Sequence, residues 1–199
     1  MYDVYMIIVS AAVSLDGFIA DRHDDPGPIF DWYQNGDVAI APGDPQRFFH
    51  VTEPTAEYLS RTWPTIGAVV IGRRLFDIIN GWEGRPTAGD AVFVVTHEPP
   101  TDWPFPDAPF TFVTDGVESA IAEAAAFAGD RDVYVTAGDI AGQALAAGLV
   151  DEVRMELAPV ILGSGVRYFG DYSGEPILLE NPEVVQGDRV THLRYRLTS

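Results

Sequence analysis

The stretch from Asp132 to Phe169, DVYVTAGDIAGQALAAGLVDEVRMELAPVILGSGVRYF, constrains the fold more than any other part of the chain. Asp132–Thr136 reads as a short buried strand, Ala137-Gly138-Asp139 as a tight turn, and Ile140–Ala147 as a helix with Asp139 at its N-cap and Gly148 just past its end. Val150–Pro159 returns as a second strand, and Leu162-Gly163-Ser164-Gly165 reads as a flexible loop before the aromatic pair Tyr168-Phe169. Strand, glycine turn and helix in succession belong to an open α/β sheet. Such a turn leaves free backbone N–H groups and the positive end of a helix at the carboxyl edge of the strands, where phosphates bind. Small residues after a buried strand also serve close packing of helix on sheet, so the turn by itself leaves both roles open.

The remaining strands extend the same sheet. Tyr5–Ser14 is a near-continuous apolar run bounded by Asp3 and by Asp16-Gly17, as expected of a central strand buried on both faces. Gly67–Ile71 and Ala91–Val95 repeat that pattern, and Phe110–Val113 is a shorter version of it. Glu53–Thr62, with Pro54 near its start, and the Ala-rich Gly116–Ala128 read as helices. Pro176–Leu197 alternates apolar and polar residues around Gly187-Asp188, a hairpin pattern that completes a sheet edge, with Arg194 and Arg196 on one solvated face. Between Asp21 and Thr65 the periodicity breaks at Pro26, Gly27, Pro28, Gly36, Pro42, Gly43, Pro45, Pro54 and Pro64. Phe30, Trp32, Tyr33, Phe48 and Phe49 make that segment too aromatic for disorder, so it is expected to be a partly helical, lid-like insertion at about 21–65, with a turn or two of helix at Ile29–Gln34. A chain of 199 residues suits one domain built on one core.

Composition removes several chemistries. The chain has no cysteine, so disulfides, thiolate nucleophiles and cysteine-ligated zinc are excluded, the zinc nucleobase deaminases among them. All 12 basic residues are arginines, which excludes Schiff-base catalysis and a Walker A loop. No metal site is expected. A formal net charge of -18 argues against nucleic acid as a partner and requires any anionic ligand to bind where arginines gather; the one adjacent pair is Arg73-Arg74. No apolar run approaches the roughly 18 residues of a membrane span. Acidic Asp3 precedes Met6-Ile7-Ile8-Val9, which is read as the first strand rather than a signal peptide, so a cytoplasmic location is expected.

The opening stretch carries a small-Gly pair (Ala137-Gly138), the strand entry Gly148-Leu149-Val150-Asp151-Glu152 and the run Pro159-Val160-Ile161-Leu162-Gly163-Ser164-Gly165. Together with Ser14-Leu15-Asp16-Gly17-Phe18-Ile19-Ala20 and the turn Gly72-Arg73-Arg74, it resembles the dihydrofolate reductase-like family that includes the reductase domain of bacterial riboflavin biosynthesis, the RibD C-terminal domain. The resemblance covers nearly the whole chain and is least in 21–65. It implies a three-layer α/β fold, with a mostly parallel central sheet, an antiparallel C-terminal hairpin and helices on both faces. It also implies an NADPH-dependent reductase, an oxidoreductase that transfers hydride to a pyrimidine, a ribosylamino-pyrimidine or a pterin-like heterocycle, and a homodimer.

By the same resemblance the cofactor lies against Ala12, Ile19, Gly72, Arg73, Arg74, Thr96, His97, Ala137, Gly138, Asp139, Ile140, Ala141, Leu162 and Gly163. Arginines at a helix start oppose the macrodipole and so require an anion or a nearby acid; both a cofactor phosphate and a salt bridge satisfy that need. Leu75 stands where the family has a threonine, and Thr96-His97-Glu98 where it has Ser or Thr followed by Arg. Asp139 is read as a cap whose carboxylate points away from the phosphate. For the substrate, Trp32 in the pair Asp31-Trp32 is placed to stack on a flat ring, with plain core packing as the alternative. Asp16, Asp31 and Glu57 are the candidates for handling the proton: Asp16 in an element that runs beside nicotinamide and substrate or in an ordinary turn, and Glu57 near the position of a buried helix acid in dihydrofolate reductases. Two other readings stay open: a dihydrofolate reductase-like enzyme of this fold acting on folates or on an unknown small molecule, and a non-catalytic ligand-binding homodimer that has lost the cofactor, which Leu75, His97 and Glu98 favour.

Overall fold

The computed structural model describes residues 5–42 and 47–198, so Asp3, Gly43 and Pro45 of the preceding reading lie outside the described residues. In chain order the elements are β1 (Ile7–Ser14), β2 (Phe18–Ala20), a 3-10 helix (Gly27–Tyr33), β3 (Val38–Ile40), β4 (Phe49–Val51), α1 (Glu53–Thr62), β5 (Ile66–Gly72), α2 (Arg73–Ile78), β6 (Ala91–Val95), β7 (Phe110–Val113), α3 (Val117–Ala128), β8 (Asp132–Thr136), α4 (Asp139–Ala146), β9 (Glu152–Ala158), β10 (Val166–Arg167), β11 (Glu183–Gln186) and β12 (Thr191–Arg196).

One sheet dominates, in the order β11-β12-β9-β1-β8-β5-β6-β7. From β9 to β7 every neighbouring pair is parallel, and β12 and β11 close the far edge antiparallel. Parallel strands need crossover connections, most of them helical here, and the helices cover both faces, which is why β1 and β5 are apolar almost without alternation. On one face α3 and α4 set Ala120, Ala124, Ile140, Ala141 and Ala144 against Val9, Val70, Phe93, Val133 and Val135. Alanine is the residue that lets a helix lie close on a sheet. On the other face Phe76 of α2 joins Ile66, Val69, Ile71, Val92 and Val94, while α1 contributes Ala56, Tyr58 and Leu59 to a second cluster with Trp32 and Val51. Each of the Val, Ile, Leu and Phe side chains, fully buried, contributes about 1.5–3 kcal/mol. The result is the three-layer α/β fold expected from the sequence.

Three local readings change. Helix α4 begins at Asp139, and the N-cap is Gly138, whose carbonyl accepts from the Ala141 and Gly142 N–H groups (3.1 and 3.2 Å). Its φ of 103° lies where a side chain is strained, so glycine rather than aspartate takes the position. The loop at 162–165 is pinned rather than flexible: the Leu162 and Gly163 N–H groups donate to the Asp16 carboxylate (3.1 and 2.6 Å). Gly165, at φ 156°, lies so close to Ala20 that a Cβ there would come within 1.9 Å of its carbonyl oxygen. Arg194 does not stand on a solvated face but bonds Glu152 and Glu183. Segment 21–65 contains two 3-10 helices (Gly27–Tyr33 and Trp63–Thr65), the small antiparallel ribbon β3-β4 and α1. No helix among the described residues is long and apolar enough to cross a membrane.

Candidate functional site

A cavity of about 1100 Å³ lies between the α1/α2 face of the sheet, its carboxyl edge and the 21–65 segment. Small-molecule pockets run to roughly 300–1,000 Å³, so this one has room for more than one ring system. One part of its wall is made by strand ends: Gly72, Arg73 and Arg74 after β5, Thr96, His97 and Glu98 after β6, Thr114 and Gly116 after β7, and Thr136 to Ile140 after β8. The other part is the sheet surface at Ser10, Ala12, Tyr134 and Glu156, covered by Trp32, Tyr33, Phe49, Leu59, Thr62 and Trp63.

The strand-end part carries two guanidiniums, both already paired. Arg73 donates to Asp77 (2.8 Å), to the Thr96 hydroxyl (3.2 Å) and to the Glu98 carbonyl. Arg74 reaches across to Asp24 at 2.8 Å, and hydrogen bonding to that carboxylate raises its pKa. At the β8 turn, a Cβ on Gly138 would meet nothing nearer than Ile19 Cδ1 at 3.9 Å, so the backbone there is open to the cavity. The first N–H groups of α4 have no partner within the helix and line the same edge.

The sheet-side part is different in character. Glu152, Arg154 and Glu156 occupy alternate positions of β9, so all three point to the cavity face. Glu152 and Arg154 are 1% and 2% exposed and bonded to each other; Glu152 also accepts from Arg194 (3.1 and 3.2 Å), and Arg154 donates to the Tyr134 hydroxyl at 2.5 Å. Glu156 sits beside Ala12 of β1 and His192 of β12, and burial pushes its carboxyl up to about 7 against the pull of Arg154. Burial likewise pushes the Tyr134 phenol up to about 12, raises those of Tyr33 and Tyr58 further, and lowers His192 to about 4, so these neighbours are neutral near pH 7. Tyr58 stacks on His192 at 4.4 Å and Trp32 meets it edge-on at 5.5 Å. The Tyr58 hydroxyl, His192 Nδ1 and Trp32 Nε1 are buried without a hydrogen-bond partner.

Most of the residues expected at a cofactor are brought to the cavity wall: Ala12, Ile19, Gly72, Arg73, Arg74, Thr96, His97, Ala137, Gly138, Asp139 and Ile140. Trp32, expected at the substrate, also reaches it, though at 2% exposure it is packed in the core cluster with Tyr58 and Leu59. Ala141 is not on the wall, because it faces the α4–sheet core with no exposure. Leu162 and Gly163 are also off it, their N–H groups spent on Asp16. The three expected proton carriers lie elsewhere. Asp16 is exposed, and its carboxyl is held below the usual range, chiefly by the Ser14 hydroxyl at 2.6 Å with the Gly163 and Leu162 N–H groups adding to it. Asp31 is exposed, 3.9 Å from Arg189, and Glu57 points outward from α1, whose cavity side carries Leu59 and Thr62. Glu156, Tyr134 and Ser10 line the cavity without having been singled out in the sequence. The charged alternation Glu152, Arg154, Glu156 inside a strand next to β1 was the available signal.

The model of the RibD C-terminal domain family matches residues 5–193. Comparison with curated proteins finds no match. Among solved structures, a protein described as a riboflavin biosynthesis protein from Shewanella sp. PV-4 is 24% identical, with 98% of this chain and 99% of that one covered and a TM-score of 0.67. The diaminohydroxyphosphoribosylaminopyrimidine deaminase/5-amino-6-(5-phosphoribosylamino)uracil reductase of Thermotoga maritima is 16% identical over 98% of this chain at a TM-score of 0.65; this chain spans 57% of its length. A pyrimidine reductase-like protein from Corynebacterium diphtheriae is 14% identical, with 98% and 92% coverage and a TM-score of 0.60. At these identities the structural likeness is one of fold.

Proposed function

The chain belongs to the RibD C-terminal domain family, and on that premise we propose that it is a nicotinamide-dependent reductase, using NADPH, of a small flat heterocycle such as a pyrimidine, a ribosylamino-pyrimidine or a pterin. The observation that carries the reading is one continuous cavity that joins four strand ends to an aromatic-covered patch of sheet. A dinucleotide bound along strand ends puts its phosphates at glycine turns and helix starts, and the residues present suit it: the open Gly138 turn, the α4 N–H groups, and Arg73 and Arg74 beside Gly72. A reduced nicotinamide, when bound, supplies a hydride. The chain's part is to hold two rings face to face, Trp32, Tyr33, Phe49 and Trp63 walling the substrate side, and to exclude water from between them.

The pairing of Arg73 with Asp77 and of Arg74 with Asp24 favours a second reading, a ligand-binding protein without the cofactor, since both guanidiniums are satisfied within the chain. Titration with NADPH and, separately, NADH, followed by tryptophan fluorescence and melting temperature, decides between them. The reductase reading expects binding that an Arg73→Ala/Arg74→Ala double variant loses, followed by NADPH oxidation with 5-amino-6-(5-phosphoribosylamino)uracil or a compound from a pyrimidine and pterin panel. Absence of binding by either nucleotide at millimolar concentration refutes it.

A further inference from the structure

We propose that Glu156 is the acid that delivers the proton to the substrate, a role none of Asp16, Asp31 and Glu57 is placed to fill; the inference rests on the reductase reading above. Four acids line the cavity among the described residues: Asp24, Glu98, Asp139 and Glu156. Asp24 is committed to Arg74, and Glu98 and Asp139 stand exposed at a strand end and a helix start. Glu156 alone of the four projects from the interior of a strand, with Ala12 and His192 as its cross-strand neighbours and the aromatic cover above.

The surroundings offset only part of the burial of this carboxyl. Arg154, two residues away on the same face, is taken by Glu152 and by the Tyr134 hydroxyl. The other groups whose charge couples to Glu156 are Tyr33 from the 3-10 helix, Tyr58 from α1, Tyr134 from β8 and Tyr168 after β10, and His192 of β12 lies opposite it; all are neutral near pH 7. A carboxyl in that setting keeps its proton to near neutral pH, the condition a general acid needs. The step balances without a further reactant. As hydride joins the electrophilic carbon of a C=N or C=O bond, the π pair moves to the heteroatom, the heteroatom takes the proton of Glu156, and the carboxylate is reprotonated from solvent after release. Ser10 and Ala12, the small residues of β1 facing the same patch, leave space for the reacting bond beside the acid.

The test begins without substrate. Carboxyl resonances of ¹³C-glutamate-labelled protein are titrated for the wild type and for Glu156→Gln. One resonance with a midpoint near neutral pH, lost in the variant, is the expected result; a Glu156 midpoint below about 5, the range of an ordinary glutamate, overturns the proposal. With a pyrimidine or pterin that drives NADPH oxidation, Glu156→Gln is expected to lower kcat by about 10²–10⁴-fold and to flatten the alkaline limb of its pH profile. KM and NADPH affinity stay within about threefold in that case. An unchanged kcat, or a loss confined to KM, overturns it. Failure of the wild type to bind either nicotinamide nucleotide is a different outcome, in which the reductase reading falls and the inference falls with it.

Discussion

Replacing Glu152 by Gln tests whether the charged face of β9 holds the sheet edge together. Glu152 is 1% exposed and serves three arginines: Arg154, itself 2% exposed, Arg194 at 3.1 Å and Arg196 at 3.9 Å. Gln keeps the volume and one acceptor oxygen but removes the charge. Arg154 is then left in the interior with the Tyr134 hydroxyl and a neutral amide. Removing one partner of a buried pair costs about 3–5 kcal/mol, and the lower end applies here because Arg194 and Arg196 reach solvent and rehydrate. For a chain of this length each kcal/mol moves Tm by about 2–4 °C, so a fall of roughly 6–12 °C is expected, with a lower urea midpoint and an unchanged m value. The loss should depend on pH. Burial pushes the Glu152 carboxyl up, but the hydrogen bond from Arg194 and the charge and hydrogen bond of Arg154 outweigh it and hold it below the ordinary 4.5. Its contribution is therefore present above pH 4.5 and disappears as pH falls through the depressed value, where wild type and variant should converge. A Glu152→Gln/Arg154→Met double variant should recover much of the loss, since it leaves no guanidinium unpaired in the interior. A single variant within about 2 °C of wild type at pH 7 would refute the reasoning, because an unpaired interior guanidinium cannot be that cheap.

Glu156 should show the opposite dependence. Its folded pKa, near 7, lies above its unfolded value, so the fold holds the proton more tightly and loses stability as pH rises from about 4.5 through 7; Glu156→Gln should be more stable than wild type at pH 8 by about 1–3 kcal/mol in urea melts, and equal to it below pH 4.5. Gly165→Ala should destabilise by about 2 kcal/mol or more, read as a drop in Tm, because φ is 156° and the new Cβ would overlap the Ala20 carbonyl; a neutral outcome would mean that β2 and β10 are not held at that distance. Asp24→Asn should tighten NADPH binding by about 2–5-fold, the worth of a partly exposed ion pair that a phosphate must displace from Arg74, and an affinity that is unchanged or weaker speaks against Arg74 as a phosphate ligand.

The fold was legible wherever a local pattern had one physical solution. Apolar runs such as Ile66–Gly72 cannot stand in a sheet with a solvated face, so β1, β5, β6 and β8 follow from the residue pattern as buried strands, while their parallel arrangement was implied by the family resemblance. The acids were harder, because the environment of a carboxylate is set by chain far away in sequence. Asp16 stands in a conspicuous turn, yet its fate is decided by the N–H groups of Leu162 and Gly163, 146 and 147 residues on. Glu57 lies on the expected helix, but its helix turns Leu59 and Thr62 inward. Glu156 looks like the outward half of an ordinary alternating strand until β12 returns antiparallel along its far side and the 21–65 segment covers it. Arg194 was misread for the same reason, since the partner that buries its charge is in the neighbouring strand.

The two parts of the cavity solve opposite electrostatic problems within a chain of formal net charge -18. In the proposed reading a dinucleotide would bring anionic phosphates to a protein that repels them at long range, and the strand ends would meet them with guanidiniums held in place by acids of unequal permanence. Asp77, four residues along the same helix, fixes Arg73 without standing in the way, whereas Asp24 comes from the covering segment and is the pairing that a phosphate can exchange. Positioning is thereby retained in the free protein while one cation remains available on demand. The sheet-side part needs the reverse, a carboxyl that stays neutral. It gets this from tyrosines and an uncharged histidine, and from an arginine whose charge is already matched by Glu152. Were Arg154 not so matched, its charge would pull Glu156 down further than it already does, and less of the proton would remain at neutral pH. On this argument Glu152, although it does not line the cavity, sets the protonation of Glu156, and the Glu152→Gln variant should lower the neutral midpoint of the Glu156 resonance as well as the stability of the fold.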